Sequence, residues 1–566
     1  QKRKHFYRTS ALHNIKIMKR SAPVLSFKNT TLFLLIIAVC AVSVINGIVF
    51  INEKKRARLI NSKMESMSLQ QKIGQLLMMG IRTPQYQKVS DAYVEAYSLG
   101  GVILFTEALK SQGQVKEMIS NLQNAAMRHA AVPLFVAVDQ EGGKVNRVGL
   151  GLTHIPGNMA VSAAGSEKYA RIAGEINGME LKSLGINVNL APCVDVLKFP
   201  SSEVIGTRSY GSEILSVATF SRAYFRGLKK YDVLGCAKHF PNHGAVKEDS
   251  HEILPQSSLT KEQILKYIIP YRMLIDDDID MIMPAHINWK AIDKKNIPGT
   301  ISADMIYGLL RTELDYQGVV ISDALEMYAV AANYSIVEAA VKFIDAGGDI
   351  ILLGKSYDLI PQVIAGMHQA IEQGILSESR INESVHRILK LKYSLFKNLK
   401  YDAAAEPKIT INWDENKKWA YRIARKSIRR YGSWETMPVI TRKSRLLIVS
   451  SSSIWDKLGK TRFKNSSFLH IPRNPRKYIT YRNQLREEIK KNKYDLVTFV
   501  CETNDQSKLI QHVLDDLNRD LPASLILSED LSFLQNKFFK SYPVILLWGP
   551  SQYSRQAALQ ELMLKP

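Results

Sequence analysis

Residues 59–400 alternate helical patterns of hydrophobic positions with short apolar runs, each bounded by Gly, Pro or a charged residue. The seven apolar runs are Gly101–Phe105, Leu134–Val138, Val188–Ala191, Val233–Ala237, Met281–Met283, Val319–Ile321 and Ile350–Leu353. This βα alternation is typical of a parallel sheet with helices on both faces. At least seven such units favour an α/β fold of the (β/α)8 barrel type over a doubly wound sheet, although the pattern identifies no eighth strand.

Three predicted helices begin with a capping sequence, in which a Ser or Thr is followed three residues later by Gln or Glu. These pairs are Ser68 with Gln71, Thr260 with Gln263, and Ser335 with Glu338. The first of them predicts a helix that continues through Lys72–Met78.

The N-terminal region has a different pattern. Residues 1–31 are basic and contain no acidic residue, and residues 32–51 are apolar except for Ser43 and Asn46. A helix of that length spans the roughly 30 Å hydrocarbon layer of a membrane. We favour an uncleaved single-pass anchor in the cell membrane, with the rest of the chain outside the cytoplasm; secretion after cleavage of a signal peptide is the alternative.

The pattern changes again after Tyr401. Residues 401–435 are predicted to form a linker, at 402–407, and a basic amphipathic helix, at 416–431. Residues 440–566 contain further strand-like runs and a helical segment at 506–517, which together predict a smaller, sandwich-like α/β domain. We see no cluster of catalytic residue types in that domain.

Composition narrows the range of partners. The formal net charge is +23 and the pI about 9.6, which is compatible with nucleic acid, an anionic membrane or an acidic polymer. The basic residues are scattered without a nucleic-acid-binding signature, so we predict no nucleic-acid partner. The four cysteines contain no Cys-x-x-Cys pair, which supports neither a disulfide framework nor a cysteine zinc site.

The stretch Lys238–His251 is the strongest candidate for chemistry, because an apolar run leads directly into a Lys, three His and an Asp. Asp249 and His251 are spaced so that the carboxylate can orient the imidazole for proton transfer. A zinc site made by His239, His243, Asp249 and His251 is a second interpretation, although Pro241 interrupts the helix that such a site needs. The third is a polar loop with no chemical role.

Polar residues also follow other predicted strands. They are Asp139 to Gly143 with Arg147, Asp195, the segment 207–211, His286, and Ser322 with Asp323. The carboxyl ends of barrel strands meet on one face, so these side chains are expected to converge there.

The motifs KHFPNHG with DSH, DQEGGKVNR, IGTRSYG and ISDALEM resemble those of glycoside hydrolase family 3, in its bacterial β-N-acetylglucosaminidase branch. The resemblance covers roughly residues 66–400. It implies a TIM-barrel catalytic domain and a retaining mechanism, with Asp323 as nucleophile, His251 as acid/base and Asp249 as its orienting partner. It also implies that the sugar is bound by Asp139, Arg147, Arg208, Lys238 and His239.

No metal or organic cofactor is implied. The expected substrate is a carbohydrate, a peptidoglycan fragment that ends in N-acetylglucosamine, and the expected state is a monomer. A β-glucosidase or β-xylosidase of the same family, and a non-catalytic protein that binds cell wall, remain alternatives. Asn242 departs from a Gly common in the family motif, and we expect it to serve in a left-handed turn, which Asn tolerates next best after Gly.

Overall fold

The computed structural model describes residues 38, 50–83, 87–199, 202, 204–355, 357–402, 409–432, 434–435, 437–472, 478–503, 506, 509–511, 513–514, 522–528 and 542–564. The chain divides into two compact units, Gln1–Leu59 and Ile60–Pro566. The predicted anchor at 32–51 lies outside the described residues except at positions 38, 50 and 51, and the predicted linker at 402–407 lies outside them except at residue 402. Among the described residues, no helix is both long and apolar enough to cross a membrane.

Eight parallel strands form the larger sheet of the second unit. In chain order they are β1 Leu77–Ile81, β2 Gly101–Leu104, β3 Phe135–Val138, β4 Val188–Asn189, β5 Leu234–Phe240, β6 Met281–Pro284, β7 Val319–Val320 and β8 Ile351–Leu353. Their spatial order is β7-β6-β5-β4-β3-β2-β1-β8. A parallel bridge between Ile321 and Ile350 joins the two ends of this order, so the sheet closes into a barrel.

The eighth strand is one that the sequence pattern assigned to a helix. The helix that begins after Ser68 ends at Gln75, and Leu77–Ile81 is a strand with all five residues buried. It pairs with β2 on one side and with β8 on the other. Leu and Met are good helix formers, and periodicity cannot distinguish a short apolar run from a buried helix. Here the pairing on both sides decides in favour of the strand.

Helices follow the strands and cover the outside of the barrel. They are Leu69–Gln75, Gln87–Tyr97, Gln112–His129, Asn158–Ala163, Glu167–Ser183, Ile214–Lys229, Lys261–Tyr267, Ile269–Ile275, the π-helix Asp304–Glu313, Tyr328–Ala331, Ile336–Asp345, Ile360–Glu372 and Glu378–Leu395. The capping boxes predicted at Ser68 and Thr260 are both present, and the Ser335 hydroxyl accepts the Glu338 N–H.

A second sheet of six strands occupies residues 429–546. Its strands are β9 Arg429–Tyr431, β10 Leu446–Ser450, β11 Ser467–His470, β12 Leu496–Cys501, β13 Ala523–Leu527 and β14 Val544–Leu546, in the spatial order β9-β14-β13-β12-β10-β11. All neighbours are parallel except β9 with β14. Apolar clusters lie on both faces of the sheet, which also packs against the helices Ser453–Arg462, Tyr478–Lys491 and Gln552–Glu561.

The basic helix that precedes this sheet begins and ends earlier in the chain than predicted. It spans Trp413–Ser427, and Ile428 leaves helical geometry with φ −58° and ψ 138°. Residues 429–431 instead pair with Val544–Leu546 as the edge strand β9, which gives their backbone groups hydrogen-bond partners once the helix has ended. Of the helix predicted at 506–517, the described residues 506, 509–511 and 513–514 are helical.

Candidate active site

A chain of alternating charges lies at the carboxyl ends of β3 and β5. Lys238, at the end of β5 and only 3% exposed, places Nζ 2.7 Å from Asp139 Oδ1 and 2.9 Å from Glu141 Oε1. Arg208 donates two hydrogen bonds to the Glu141 carboxylate, at 3.0 and 2.8 Å. Burial alone would raise the pKa of Glu141, but Arg208 and Lys238 hold it well below its usual range. The predicted residues Asp139, Arg208 and Lys238 therefore meet around Glu141, a residue of the DQEGG motif to which the sequence assigned no role.

His239 is oriented by Asp195, which is fully buried. Asp195 Oδ2 accepts a hydrogen bond from His239 Nδ1–H at 2.8 Å, and Oδ1 accepts the His243 backbone N–H at 2.5 Å. Although burial opposes ionisation, the neighbouring His239 lowers the pKa of Asp195 to about 2. The carboxylate therefore fixes the ring orientation of His239, which lines the cavity described below.

Asp249 and His251 form the predicted dyad on the loop after β5. Asp249 Oδ1 accepts hydrogen bonds from His251 Nδ1–H at 2.7 Å and from the His251 backbone N–H at 2.8 Å. Burial would raise the pKa of Asp249, and these bonds to His251 lower it. With Nδ1 donating to Asp249, Nε2 of His251 is left to exchange a proton with a ligand. The dyad is open to solvent, since the His251 side chain is 62% exposed.

Ser250 anchors the loop between the two dyad residues. It is 2% exposed, its hydroxyl lies 3.2 Å from His243 Nε2, and its carbonyl accepts the Ala329 N–H at 3.2 Å. Burial lowers the pKa of His243 to about 4, so its ring is neutral around pH 7. The loop is therefore attached to the barrel at Ser250 while its two neighbours face outward.

Asp323 lies just after β7 and accepts the Ala324 N–H at 2.8 Å. Burial would raise its pKa, yet the nearby His286 and His239 rings and the Ala324 N–H lower it, so the carboxylate is ionised near neutral pH. His286 lies 3.1 Å through Nε2 from the Ala324 carbonyl and 2.7 Å through Nδ1 from Thr300 Oγ1. Because a carbonyl can only accept, Nε2–H donates to Ala324, and this bond positions the turn that carries Asp323.

These groups surround one cavity of about 270 Å³. Asp323 and His251 both line it, together with Asp139, Arg147, Arg208, Lys238 and His239. The structure thus brings all eight predicted site residues together, seven in the lining and Asp249 behind His251. The lining also includes residues that the sequence did not single out, namely Arg82, Phe105, Glu326 and Lys355.

Arg82 was missed because it follows β1, the strand that the pattern had assigned to a helix. Its guanidinium lies 3.8 Å from the centre of the Phe105 ring, and its Nε donates to the Gly354 carbonyl at 3.0 Å. Arg82 therefore forms part of the cavity wall near the β8 end of the barrel. A polar residue immediately after an unrecognised strand is the signal that could have revealed it.

Asn242 does not occupy the left-handed turn expected of it. Its φ is −179°, an extended conformation open to any residue. Its side-chain Oδ1 accepts N–H groups of Val196 at 2.8 Å and Gly244 at 3.2 Å, and Nδ2 donates to the Val196 carbonyl at 3.0 Å. The amide is thus used for hydrogen bonding that a glycine could not provide.

The structure does not support the predicted zinc site, because two of its histidines pair with different carboxylates. His239 pairs with Asp195, and His251 pairs with Asp249. Within the part of the chain that the structure describes, the group close enough to share a metal ion is Cys193, Asp195 and His239. Burial holds the pKa of Cys193 well above its usual value, and its thiol donates to Asp195 at 3.2 Å. Asp195 also accepts from His239 Nδ1–H, so the three side chains form one hydrogen-bonded group in the core.

The family description "Glycosyl hydrolase family 3 N terminal domain" matches residues 68–391, more than half of the chain. The chain belongs to glycosyl hydrolase family 3. Its resemblance to the β-N-acetylglucosaminidase branch is confirmed by the relatives that carry such names. The β-hexosaminidase of Nitrosomonas eutropha is 32% identical over 304 residues, which cover 52% of this chain and 85% of that protein.

Two further comparisons show how much of the chain is shared with similar proteins. β-Hexosaminidase A of Pseudoalteromonas piscicida is 34% identical over 325 residues, and the match spans only about half (54%) of its length. The solved structure of a family 3 β-N-acetylglucosaminidase from Paenibacillus sp. superposes with a TM-score of 0.80 at 29% identity. That comparison covers 88% of this chain and 97% of the other, so it includes a second sheet as well as the barrel.

Proposed function

We propose that this family 3 protein is a retaining exo-β-N-acetylglucosaminidase that acts on peptidoglycan fragments ending in N-acetylglucosamine. The observation that carries the proposal is the single cavity lined by both Asp323 and His251. The named β-hexosaminidases among its relatives support the choice of sugar. A family 3 β-glucosidase or β-xylosidase is the alternative that a substrate panel would separate from it.

In the first step the Asp323 carboxylate attacks the anomeric carbon and the glycosidic bond breaks. His251 Nε2–H gives its proton to the departing oxygen, so the leaving group exits as an alcohol. The sugar is left joined to Asp323 as a glycosyl ester, and the His251 ring is neutral. A carboxylate held in the ionised form and an imidazole oriented by Asp249 are the groups that this step needs.

In the second step His251 removes a proton from water, and the resulting nucleophile attacks the anomeric carbon. The ester bond to Asp323 breaks, the carboxylate is restored, and His251 again carries its proton. Two successive displacements at the same carbon return the original β configuration. Asp249 compensates the charge of the imidazolium that is present before each cycle.

The remaining lining supplies contacts to the sugar. Asp139 can accept hydrogen bonds from ring hydroxyls while Lys238, Arg147 and Arg208 donate to oxygens. Arg147 lines the cavity, and its guanidinium carries five N–H groups that can donate to substrate oxygens. A cavity of about 270 Å³ is small for a ligand site and suits a single terminal sugar, hence exo action.

The test is turnover of an aryl β-N-acetylglucosaminide and of a muropeptide with terminal N-acetylglucosamine. We expect the Asp323→Ala variant to lose on the order of a thousandfold or more in kcat, since it lacks the nucleophile. NMR of the first-formed product should show the β anomer. An Asp323→Ala protein as fast as the parent would refute the mechanism, and a preference for glucosides or xylosides would refute the proposed sugar.

We further propose that the apolar run at residues 32–51 attaches the enzyme to the cell membrane with its catalytic domain outside the cytoplasm. The support is the length and apolar character of that run. In expressing bacteria, an anchored enzyme would stay with membranes through alkaline carbonate washing and would be digested by protease added to spheroplasts. Recovery of full-length enzyme in the soluble fraction would contradict the proposal.

A further inference from the structure

The loop after β14 brings the second sheet into contact with the wall of the active site. Trp548 is half-buried and packs against the apolar core of the second sheet. The same ring packs against a separate cluster on the barrel side, formed by Met159, Cys193, Leu197 and Ile205, with Val204 beside it. Trp548 is therefore shared between two apolar clusters that belong to different sheets.

A hydrogen bond fixes the position of the Trp548 indole. Trp548 Nε1–H donates to the Ser427 carbonyl at 2.8 Å, at the end of the helix Trp413–Ser427. The backbone of this loop also approaches the barrel domain. A Cβ added to Gly157 would lie 3.4 Å from the Trp548 carbonyl oxygen and 3.5 Å from Gly143 Cα. A Cβ added to Gly549 would lie 3.9 Å from Gly143 Cα, so the loop also approaches the segment that carries Asp139 and Glu141.

Val204 connects this packing to the charges of the site. Its side chain lines the cavity, and its carbonyl accepts a hydrogen bond from Arg208 Nη1 at 3.0 Å. Arg208 in turn pairs with Glu141, which also contacts Lys238. A displacement of the segment around Val204 would therefore move the guanidinium of Arg208 and, through Glu141, the ammonium of Lys238.

We propose that Trp548 is a positioning residue for the sugar-binding wall, through which the second sheet holds the Val204–Arg208 segment in place. The proposal rests on the proposed glycosidase activity and adds a part of the chain outside the matched family domain. In this chain the wall depends on a residue that lies 340 positions after Arg208.

The experiment uses the full chain and compares Trp548→Ala with Trp548→Phe. The phenylalanine keeps an apolar ring against Val204 and Ile205 but loses the hydrogen bond to Ser427. We expect the alanine variant to raise KM about tenfold with kcat within about twofold of the parent, because the wall binds the sugar and does not react with it. The phenylalanine variant should stay close to the parent in KM.

A double-mutant cycle with Leu197→Ala shows whether the effect passes through the shared cluster. Leu197 is in the cluster beneath Trp548 and does not line the cavity. Losses in kcat/KM that are less than additive support the proposal. Unchanged KM in a folded Trp548→Ala protein would overturn it, and so would a Trp548→Phe protein as impaired as the alanine variant.

Two further readouts separate this proposal from the proposed function. If Trp548→Ala does not fold, Leu197→Ala and Trp548→Phe still report on the contact, and a parent-like KM in Leu197→Ala overturns the proposal. If the parent hydrolyses no N-acetylglucosaminide, calorimetric binding of free N-acetylglucosamine replaces KM. A weakened affinity in Trp548→Ala then supports the positioning role even though the activity has failed.

Discussion

At the scale of single residues, four charges of the site are paired with neighbours of opposite sign. Asp139, Lys238, Glu141 and Arg208 alternate in sign along one chain of contacts. A buried charge without a partner costs several kcal/mol, so removing one member leaves the others destabilised. The dyad Asp249–His251 is different, because it is open to solvent and its pairing serves orientation more than stability.

The first prediction concerns the charge of that dyad. An Asp249→Asn variant can still accept both hydrogen bonds from His251 through its amide oxygen, so the loop geometry is retained. What it loses is the negative charge that stabilises the imidazolium. We expect kcat to fall about a hundredfold on a muropeptide, within the range that general acid–base catalysis contributes.

Leaving-group dependence identifies the cause of that loss. An aryl group with an acidic phenol leaves without a proton, so bond cleavage with it should be affected much less. Glu248→Gln, which changes the exposed carboxylate next to Asp249, is the matched control and should behave like the parent. Equal losses on both substrates in kcat/KM, which reports only the steps up to cleavage of the glycosidic bond, would show that Asp249 acts on the fold of the loop and not on proton transfer.

The site residues that sequence could predict are those inside motifs with a strand end beside them. Asp139, Lys238, His239 and Asp323 each follow an apolar run that proved to be a strand. Arg82 could not be found because its strand was not recognised. Glu141 was in view, but nothing in the sequence shows that its carboxylate lies between Arg208 and Lys238, since that contact joins residues 67 positions apart.

At the scale of elements, seven of the eight barrel strands were predicted from apolar runs, and β1 was not. A run of four Leu and Met residues after a capping box satisfies the local preferences of a helix. Its identity as a strand comes from pairing with β2 and β8, and β8 is more than 270 positions away. Local preference gives no account of such distant partners, and this is why the closing strand could not be placed.

The second prediction concerns Asp280, just before β6. Its Oδ2 accepts the Gly235 N–H at 2.9 Å, and burial raises the pKa of this carboxyl to about 7. The effect of burial exceeds that of the Gly235 N–H and Lys229, which lower the pKa, and the neighbouring Asp278 raises the pKa further. Because the unfolded pKa is about 3.9, the folded state binds the proton more tightly. The stability that Asp280 contributes is complete below the unfolded pKa of about 3.9 and is lost as pH rises toward 7.

An Asp280→Asn variant should therefore become more stable than the parent as pH rises, because the amide can accept from Gly235 without carrying a charge. We expect a difference of about 4 kcal/mol at pH 8 and little difference near pH 4, measured by urea unfolding at each pH. An Asp278→Asn variant provides the control for a neighbouring charge. A constant difference across pH would show that Asp280 does not titrate in this range.

At the scale of the whole molecule, one contact ties the two ends of the barrel domain. Lys392, on the last barrel helix Glu378–Leu395, is 0% exposed and donates through Nζ to Gln75 Oε1 at 2.8 Å. Gln75 lies on the helix that precedes β1, and its amide donates to the Ser98 carbonyl at 2.7 Å. Lys392 Nζ also lies 5.0 Å from the centre of the Phe135 ring. The first helix, the last helix and β3 thus meet at this one amine.

The third prediction follows from the cost of burying that amine. Burial lowers the pKa of Lys392 well below 10.5, its unfolded value, so the unfolded state binds the proton more tightly. The resulting penalty is largest below the folded pKa and disappears as pH rises toward 10.5. We expect a Lys392→Met variant to gain stability relative to the parent at pH 6 and to lose that gain progressively up to pH 10. The lost hydrogen bond to Gln75 lowers its stability by the same amount at every pH.

Thermal unfolding of both proteins between pH 6 and pH 10 measures the slope of that difference, which is independent of the constant term. Lys390→Met, which replaces an exposed lysine on the same helix, is the matched control for removing one positive charge. A flat difference for Lys392→Met would mean that the amine keeps its proton in the folded state at every pH tested. The contact with Gln75 and Phe135 would then solvate a full charge, and the junction between the two ends of the barrel would be an ionic one.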